Sequence, residues 1–364
     1  MKKVNLIAIA ATIGLILLYG CTQSNKAVSD HFKWIVEPTF DSLYPFTEGL
    51  AGASVNDQWG FIDTAGVWVI QPQFGCVRSF LNGIAAVSFD KSFSTGAFPT
   101  FGFINKKGVW VIQPQFKQID LAVNRRNAWI MRVKYNEKEG YISHTGVFSE
   151  EIPRLNQRAI YVSAYPVPNV IRLDNKLETI FDGDFEWAFT DFSNGLLKAH
   201  NKKTQGWGYI DSTAHWTILP LFKDANDFSE GLAAVQDKSP VSNWGYIDTK
   251  GQWAIEPVFD KAGNFSEELA CVSDSKSGKY GYIDPSGNWV ITPSFFGANP
   301  FSEGLAAAKK YESSKWGYID KTGEWVIQPQ FEEIQNFSKG MTMVKLNGKW
   351  GLIRQQNSET MIRK

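Results

Sequence analysis

Two acidic positions recur along this chain, and repeated carboxylates are the first place to look for chemistry. One series is Asp63, Asp248, Asp284 and Asp320, with Asn105 in the same place. The other is Glu48, Glu230 and Glu303, replaced by Asn82, Asn194 and Lys339 in sister segments. A calcium loop needs several oxygen ligands close together, and the Asp series has no second carboxylate at fixed spacing. Each Asp stands instead where a tight turn needs an acceptor for backbone N–H groups. Glycoside hydrolysis needs two particular carboxylates at a set separation. A glutamate exchanged for lysine reads as a solvated turn position. His31, His144, His200 and His215 fall in different segments without metal-ligand spacing. No Ser-His-Asp, Cys-His or glycine-rich phosphate signature stands out, because the 31 glycines are spread along the chain rather than gathered in a cradle. The expectation is a non-enzyme with no metal and no cofactor.

The aromatic residues remain. Trp and Tyr rings stack on sugar faces or anchor protein partners. Here they come in two series. Trp59, Trp207, Trp244 and Trp316 precede a Gly and are in phase with each other, which reads as core between neighbouring units. Trp68, Trp110, Trp216, Trp253, Trp289 and Trp325 follow a turn, and are the candidate binding surface along one face. The irregular stretch 124–184 and the Ser- and Phe-rich insertion 88–103 are further places where the pattern breaks.

These residues are positioned by a repeat of about 34–42 residues, of which about nine copies fill His31 to Arg354. One copy, around Asn169–Phe181, keeps the apolar pattern and loses the Trp-Gly pair. Each unit reads as a three-stranded antiparallel meander. A "GLAAV" strand leads through a variable loop to "WGYID", then a tight turn leads to "QWAIEP". Alternation puts Trp244, Tyr246 and Asp248 on one side of their strand and Gly245 and Ile247 on the other. A Gly inside a strand marks close approach by another backbone or ring, so Gly245 is expected to let neighbouring units pack. In the turn the Asp caps N–H groups and Gly takes the left-handed conformation, with Ala214 as the exception. Pro38, Pro72, Pro114, Pro153, Pro220, Pro257, Pro293 and Pro329 are expected to end the third strand.

The tandem "WGYIDxxGxWVIxPxF…FSEGLAAV" units resemble WG repeats, also called KWG repeats, of bacterial surface and secreted proteins. That resemblance implies an all-β repeat array outside the cytoplasm, and it carries no catalytic residues. The expected architecture is an open, twisted, solenoid-like array stabilised between neighbours. A closed β-propeller is the alternative, although about nine units exceed its usual ~4–8 blades.

The N-terminus reads as a targeting segment. Lys2 and Lys3 precede an apolar run from Val4 to Leu18 that is shorter than the ~20 residues of a membrane span. "LYGC" resembles a bacterial lipobox, which implies cleavage before Cys21 and lipid on its sulfur. The divisions are therefore a signal peptide over 1–20, a lipidated cysteine and tether over 21–30, the repeat domain over 31–354 and a tail over 355–364. Cys76 and Cys271 lie far apart and read as free thiols. Thirty-seven basic residues balance 37 acidic ones, which argues against nucleic-acid binding. The functional expectation is a lipoprotein of the cell envelope, at the outer membrane in preference to the inner, that meets the membrane through Cys21. Its repeats would be a scaffold for protein partners, with carbohydrate binding by the Trp rows as the alternative.

Overall fold

The computed structural model describes residues 27–29, 31–91, 99–122, 130–135, 138–143, 148–149, 185–188, 192–212 and 215–356. The signal peptide, Cys21, the decayed copy, Ala214 and residues 357–364 lie outside them. The described residues are strands, turns and loops, with no helix among them. They form seven antiparallel sheets, none closed into a barrel.

Five sheets have four strands, one has five and one has seven. The seven-stranded sheet is two four-stranded groups sharing one bent strand, Trp253–Ser266. Phe259 is its corner, opposite Trp244 on one side and Asp274 on the other. The five-stranded sheet is a four-stranded group with Ala27–Ser29 added at its edge. The described chain thus resolves into eight groups of four strands each instead of three, and the decayed copy lies outside the described residues. The missed element is a short strand before "GLAAV". Asp224–Ala225 shows the pattern, pairing with Gln236 and Val235. Beyond it the ladder continues as single bonds, such as Asn226 N–H to the Ala234 carbonyl, up to a turn at Ser229 and Leu232. In five of the groups only two residues are regular strand, too few for a period to register.

The first long strand of the described residues is joined to the last. Phe32–Phe40 pairs with Lys349–Gln355, with Trp34 opposite Ile353 and Phe40 opposite Trp350. Inside a middle unit Trp253 faces Ile247 and Phe259 faces Trp244, the same relation. The first strand therefore serves as the proline strand of the last unit. Lys349 is ion-paired with Asp41, and Arg354 Nη2 donates to the Thr64 carbonyl at 3.0 Å. An open array with separate ends is overturned. Such an array would leave Lys349–Gln355 with an unpaired edge of backbone polar groups, which pairing removes.

The core lies between sheets. Tyr209, Ile218, Phe222, Phe228, Val235 and Ile247 form one cluster drawn from two neighbouring groups. The buried Tyr209, Tyr246 and Tyr282 donate their hydroxyls to the carbonyls of Asn226, Gly263 and Asn299 at 2.6, 2.7 and 2.7 Å, and Tyr318 does so to Gln335. Each bond crosses to the next unit, so a buried polar group finds its partner there. Burial raises these hydroxyls well above the usual tyrosine range.

Two glycine series have separate tasks. A Cβ on Gly245 would sit 2.6 Å from the Ile255 carbonyl oxygen and 2.7 Å from the Pro257 nitrogen. The close approach is thus to the proline strand of its own hairpin, not to a neighbouring unit. The ladder shifts register there, so Pro257 sits in a bulge inside the strand instead of ending it. The turn glycines make the contact between units. Gly251 has φ 81°, and a Cβ on it would meet Ile218 of the preceding unit at 3.1 Å.

Candidate interaction surface

The recurring Asp is a turn cap. Asp248 Oδ1 accepts the N–H groups of Lys250 and Gln252, both at 2.9 Å, and Asp284 does the same for Ser286 and Asn288. Those bonds, led by that from Asn288, lower the Asp284 carboxyl below its usual range. Among the described residues, no three His, Cys, Asp or Glu side chains gather where one metal ion could be held. Cys76 is half-buried and Cys271 buried, both as free thiols, and burial pushes the Cys271 thiol up to about 12.

The recurring glutamate is not a free, solvated turn residue. Glu48, Glu230 and Glu303 have φ of 51°, 54° and 56°, and Glu267 joins them at 56°. That is the left-handed region, which favours Gly or Asn over a long side chain. With the Gly that follows, or with Glu268 at φ 68° after Glu267, each makes a two-residue hairpin turn of the type that suits twisted strands. Each carboxylate reaches the matching turn of the next unit. Glu230 accepts from Glu267 N at 2.7 Å and Glu268 N at 2.9 Å. Glu303 accepts from Lys339 N at 2.5 Å and Gly340 N at 2.7 Å. Glu48 accepts from Asn82 N and, at 2.9 Å, Gly83 N, while Glu267 accepts from Gly304 N at 3.0 Å. Beside them, the hydroxyls of Ser229, Ser266 and Ser302 donate to the carbonyls of Phe265, Phe301 and Phe337. The sequence signal was present: a glutamate where the backbone calls for Gly or Asn needs a compensating partner.

Of the two Trp series, the first is only half-buried. The buried aromatic core lies two residues further on, at Tyr209, Tyr246, Tyr282 and Tyr318. Several of these Trp rings are covered. Tyr44 lies 4.5 Å from Trp59 between centroids, and Lys198 and Lys309 ammonium groups stand 5.3 Å over Trp207 and Trp316.

The second series begins the proline strands, each an edge of its four-stranded group. Trp68, Trp253, Trp289 and Trp325 meet Phe40, Phe222, Phe259 and Phe295 of the preceding unit edge-on at 5.6–5.9 Å. Trp110 packs on Phe74 and Phe89, and Trp216 pairs with Ile210. Trp68, Trp110, Trp216, Trp289 and Trp325 are half-buried, while Trp253 is 36% exposed. They recur along one edge, each tied to a neighbour. On the same strands the sequence placed no emphasis on aliphatic residues, yet Val69, Leu219, Leu221, Val258 and Val290 are 44–62% exposed.

Tandem four-stranded antiparallel units, tied to each other by tyrosine, serine and glutamate, define a β-repeat protein. The chain belongs to the WG containing repeat family, which matches residues 28–59, 59–91, 101–121, 207–238, 244–276, 280–312 and 316–350. No curated protein matches it. Among solved structures, it is similar to BamB from Moraxella catarrhalis at 8% identity and TM-score 0.42, over 89% of this chain and all of that one. It is also similar to a eukaryotic initiation factor at 10% identity and TM-score 0.46, over 88% and 91% of the two chains. Likenesses at this level bear on neither ligand nor partner.

Proposed function

We propose that this chain is a non-enzymatic binding scaffold for protein partners, held at the cell envelope by lipid on Cys21. The four-stranded groups, eight of them among the described residues, are blades of a closed propeller, with the first strand completing the last blade. The observation that carries the binding reading is the set of exposed aliphatic residues on the proline strands, at Val69, Leu219, Leu221, Val258 and Val290. Solvent-facing apolar side chains repeated along one edge suit protein docking. Repetition offers several weak sites at once, which favours avidity. The Trp68, Trp110, Trp216, Trp253, Trp289 and Trp325 series lies on the same strands and belongs to this surface. Lysine and tyrosine cover on the other Trp series weighs against sugar stacking as the main activity.

The test is crosslinking and capture of the membrane-anchored protein from its own cells. It is run beside a variant with Val69, Leu219, Leu221 and Val258 changed to Ser. The scaffold reading expects a stoichiometric protein captured by the native chain and lost by the variant. Enriched polysaccharide with no protein would replace it with the carbohydrate reading. Cys21→Ser is expected to move the protein from the membrane to the soluble fraction.

A further inference from the structure

The glutamate ties form a series with a gap. In a two-residue hairpin turn the hairpin's own bonds join the flanking residues, here Thr47 and Leu50. The N–H groups of the two central residues point outward. At four junctions the preceding unit's glutamate takes one or both of them. The junction between the last unit and the first differs. Met341 and Met343 of the last unit pack with Leu43, Ala51, Ala53 and Phe46 of the first, so the two are neighbours. The position that holds Glu at those four junctions is Lys339, also left-handed at φ 54°. Lysine offers no acceptor. Among the described residues nothing accepts from Glu48 N–H or Gly49 N–H, and Lys339 has no ion pair. The serine tie is missing as well, since the Ser338 hydroxyl makes no bond to the first unit among those residues. The Glu48 carboxylate is turned away to the next turn and neutralised by Lys106 at 3.0 Å.

We propose that this junction is a carboxylate-binding slot, in which the N–H groups of Glu48 and Gly49 and the ammonium of Lys339 receive an acidic side chain of a protein partner. The slot keeps the two donors that a carboxylate fills elsewhere in the molecule and exchanges the internal acid for a cation. Paired backbone N–H groups in such a turn make an anion-binding concavity. The junction before Glu230 is a built-in comparison. There Asn194, shorter than Glu by a methylene, makes no bond to Glu230 N or Gly231 N, and supplies no positive charge. The slot itself does not depend on the scaffold reading; the identity of its ligand as a protein side chain does.

The experiment uses the full mature chain labelled with 15N-glycine. The Gly49 amide is assigned by its loss in Gly49→Asn, because Asn tolerates the left-handed backbone. Acetate, the peptide acetyl-Gly-Glu-Gly-amide, its Gln counterpart and galacturonate are titrated separately. Gly49 is expected to shift saturably with the Glu peptide and not with the Gln peptide. Lys339→Gln should weaken binding at least tenfold. Lys339→Glu should abolish it by filling the slot from within, and should raise the thermal midpoint. Gly231 should move less than Gly49. A Gly49 amide that stays still, or that shifts equally in Lys339→Gln, overturns the slot. Tighter binding of galacturonate than of the Glu peptide overturns the protein side chain as its ligand. Capture failing in cells while Gly49 responds would remove the scaffold reading and leave the slot.

Discussion

Trp34→Ala asks whether the first strand completes the last unit. Trp34 is 6% exposed, and its ring meets Phe331 edge-on at 6.3 Å. It also lies 2.7 Å from where a Cβ on Gly351 would stand, so it fills the space that the glycine leaves. Truncating a buried Trp to Ala costs about 3–5 kcal/mol, against about 5–15 kcal/mol for a whole domain. The matched control is Trp253→Ala, at the same place in a middle unit. That side chain is 36% exposed. With about two-thirds of it buried, the expected cost falls to about 2–3 kcal/mol. The terminal Trp should therefore cost more than the internal one. An open stack predicts the reverse, because an end strand has a neighbour on one side only and its truncation costs less than about 1 kcal/mol. The assay is urea unfolding by far-UV circular dichroism, comparing first transitions because repeats need not unfold in one step. Hydrogen exchange over Lys349–Gln355 is read alongside. If Trp34→Ala costs no more than Trp253→Ala and exchange there is unchanged, the joined-end reasoning is refuted.

Tyr246→Phe removes the bond to the Gly263 carbonyl while keeping the ring; the loss should be about 1 kcal/mol, rising toward ~3 if the carbonyl stays dry. Phe61 and Phe103 are the buried aromatics at the same place in two other units, so the change should lower the urea midpoint without loss of folding. Gly281→Ala puts a Cβ 2.5 Å from the Ile291 carbonyl oxygen; about 3 kcal/mol of destabilisation is expected, and a thermal midpoint equal to the native one would sink the bulge argument. Burial works against the charge of Glu48, yet Lys106 and the Gly83 and Asn82 N–H groups outweigh it and hold its carboxyl below the usual value. Its stabilisation is thus fully present above the unfolded value of about 4.3 and is lost as pH falls through the lower folded one. Thermal midpoints between pH 6 and pH 3 should show an acid drop that shrinks in Glu48→Gln.

How much of this was legible depends on how many residues carried each signal. The Trp-Gly strand announced itself because Trp, Gly, Tyr, Ile and Asp recur in fixed order, and the Asx cap and turn Gly followed from local backbone needs. The short strand had no such signal. Where only two of its residues are regular, they read Ser-Leu in one unit, Cys-Val in the next, and Asp-Ala or Gly-Ala later. What holds it is the partner strand, which is a relation and not a composition. The place of the first strand was left open for a related reason. The first strand looked like a fragment of a unit because its Trp-Gly partner lies more than 300 residues away, at Lys349–Gln355. No window along the chain contains both.

The glutamates show a different limit. Substitution by Asn and Lys at the same place suggested a position under no constraint. In fact two demands meet there: a left-handed backbone, which Asn meets well, and an acceptor for the next turn, which Glu meets and Lys cannot. Where Glu stands, the cost of the unusual backbone is offset by one or two charge-assisted bonds to the neighbouring unit. Where Lys339 stands, the backbone demand remains and the bond is given up, at the junction between the last unit and the first. The pairing of Phe32–Phe40 with Lys349–Gln355 lies within the last unit, so this junction is held by the chain running on from Phe40 to Ser42 and by Met341 and Met343 packed with Leu43, Ala51 and Ala53. A position that is structural in four units is thereby released in this one, and a released position with two outward N–H groups and a cation is where binding can be added without loss of the fold.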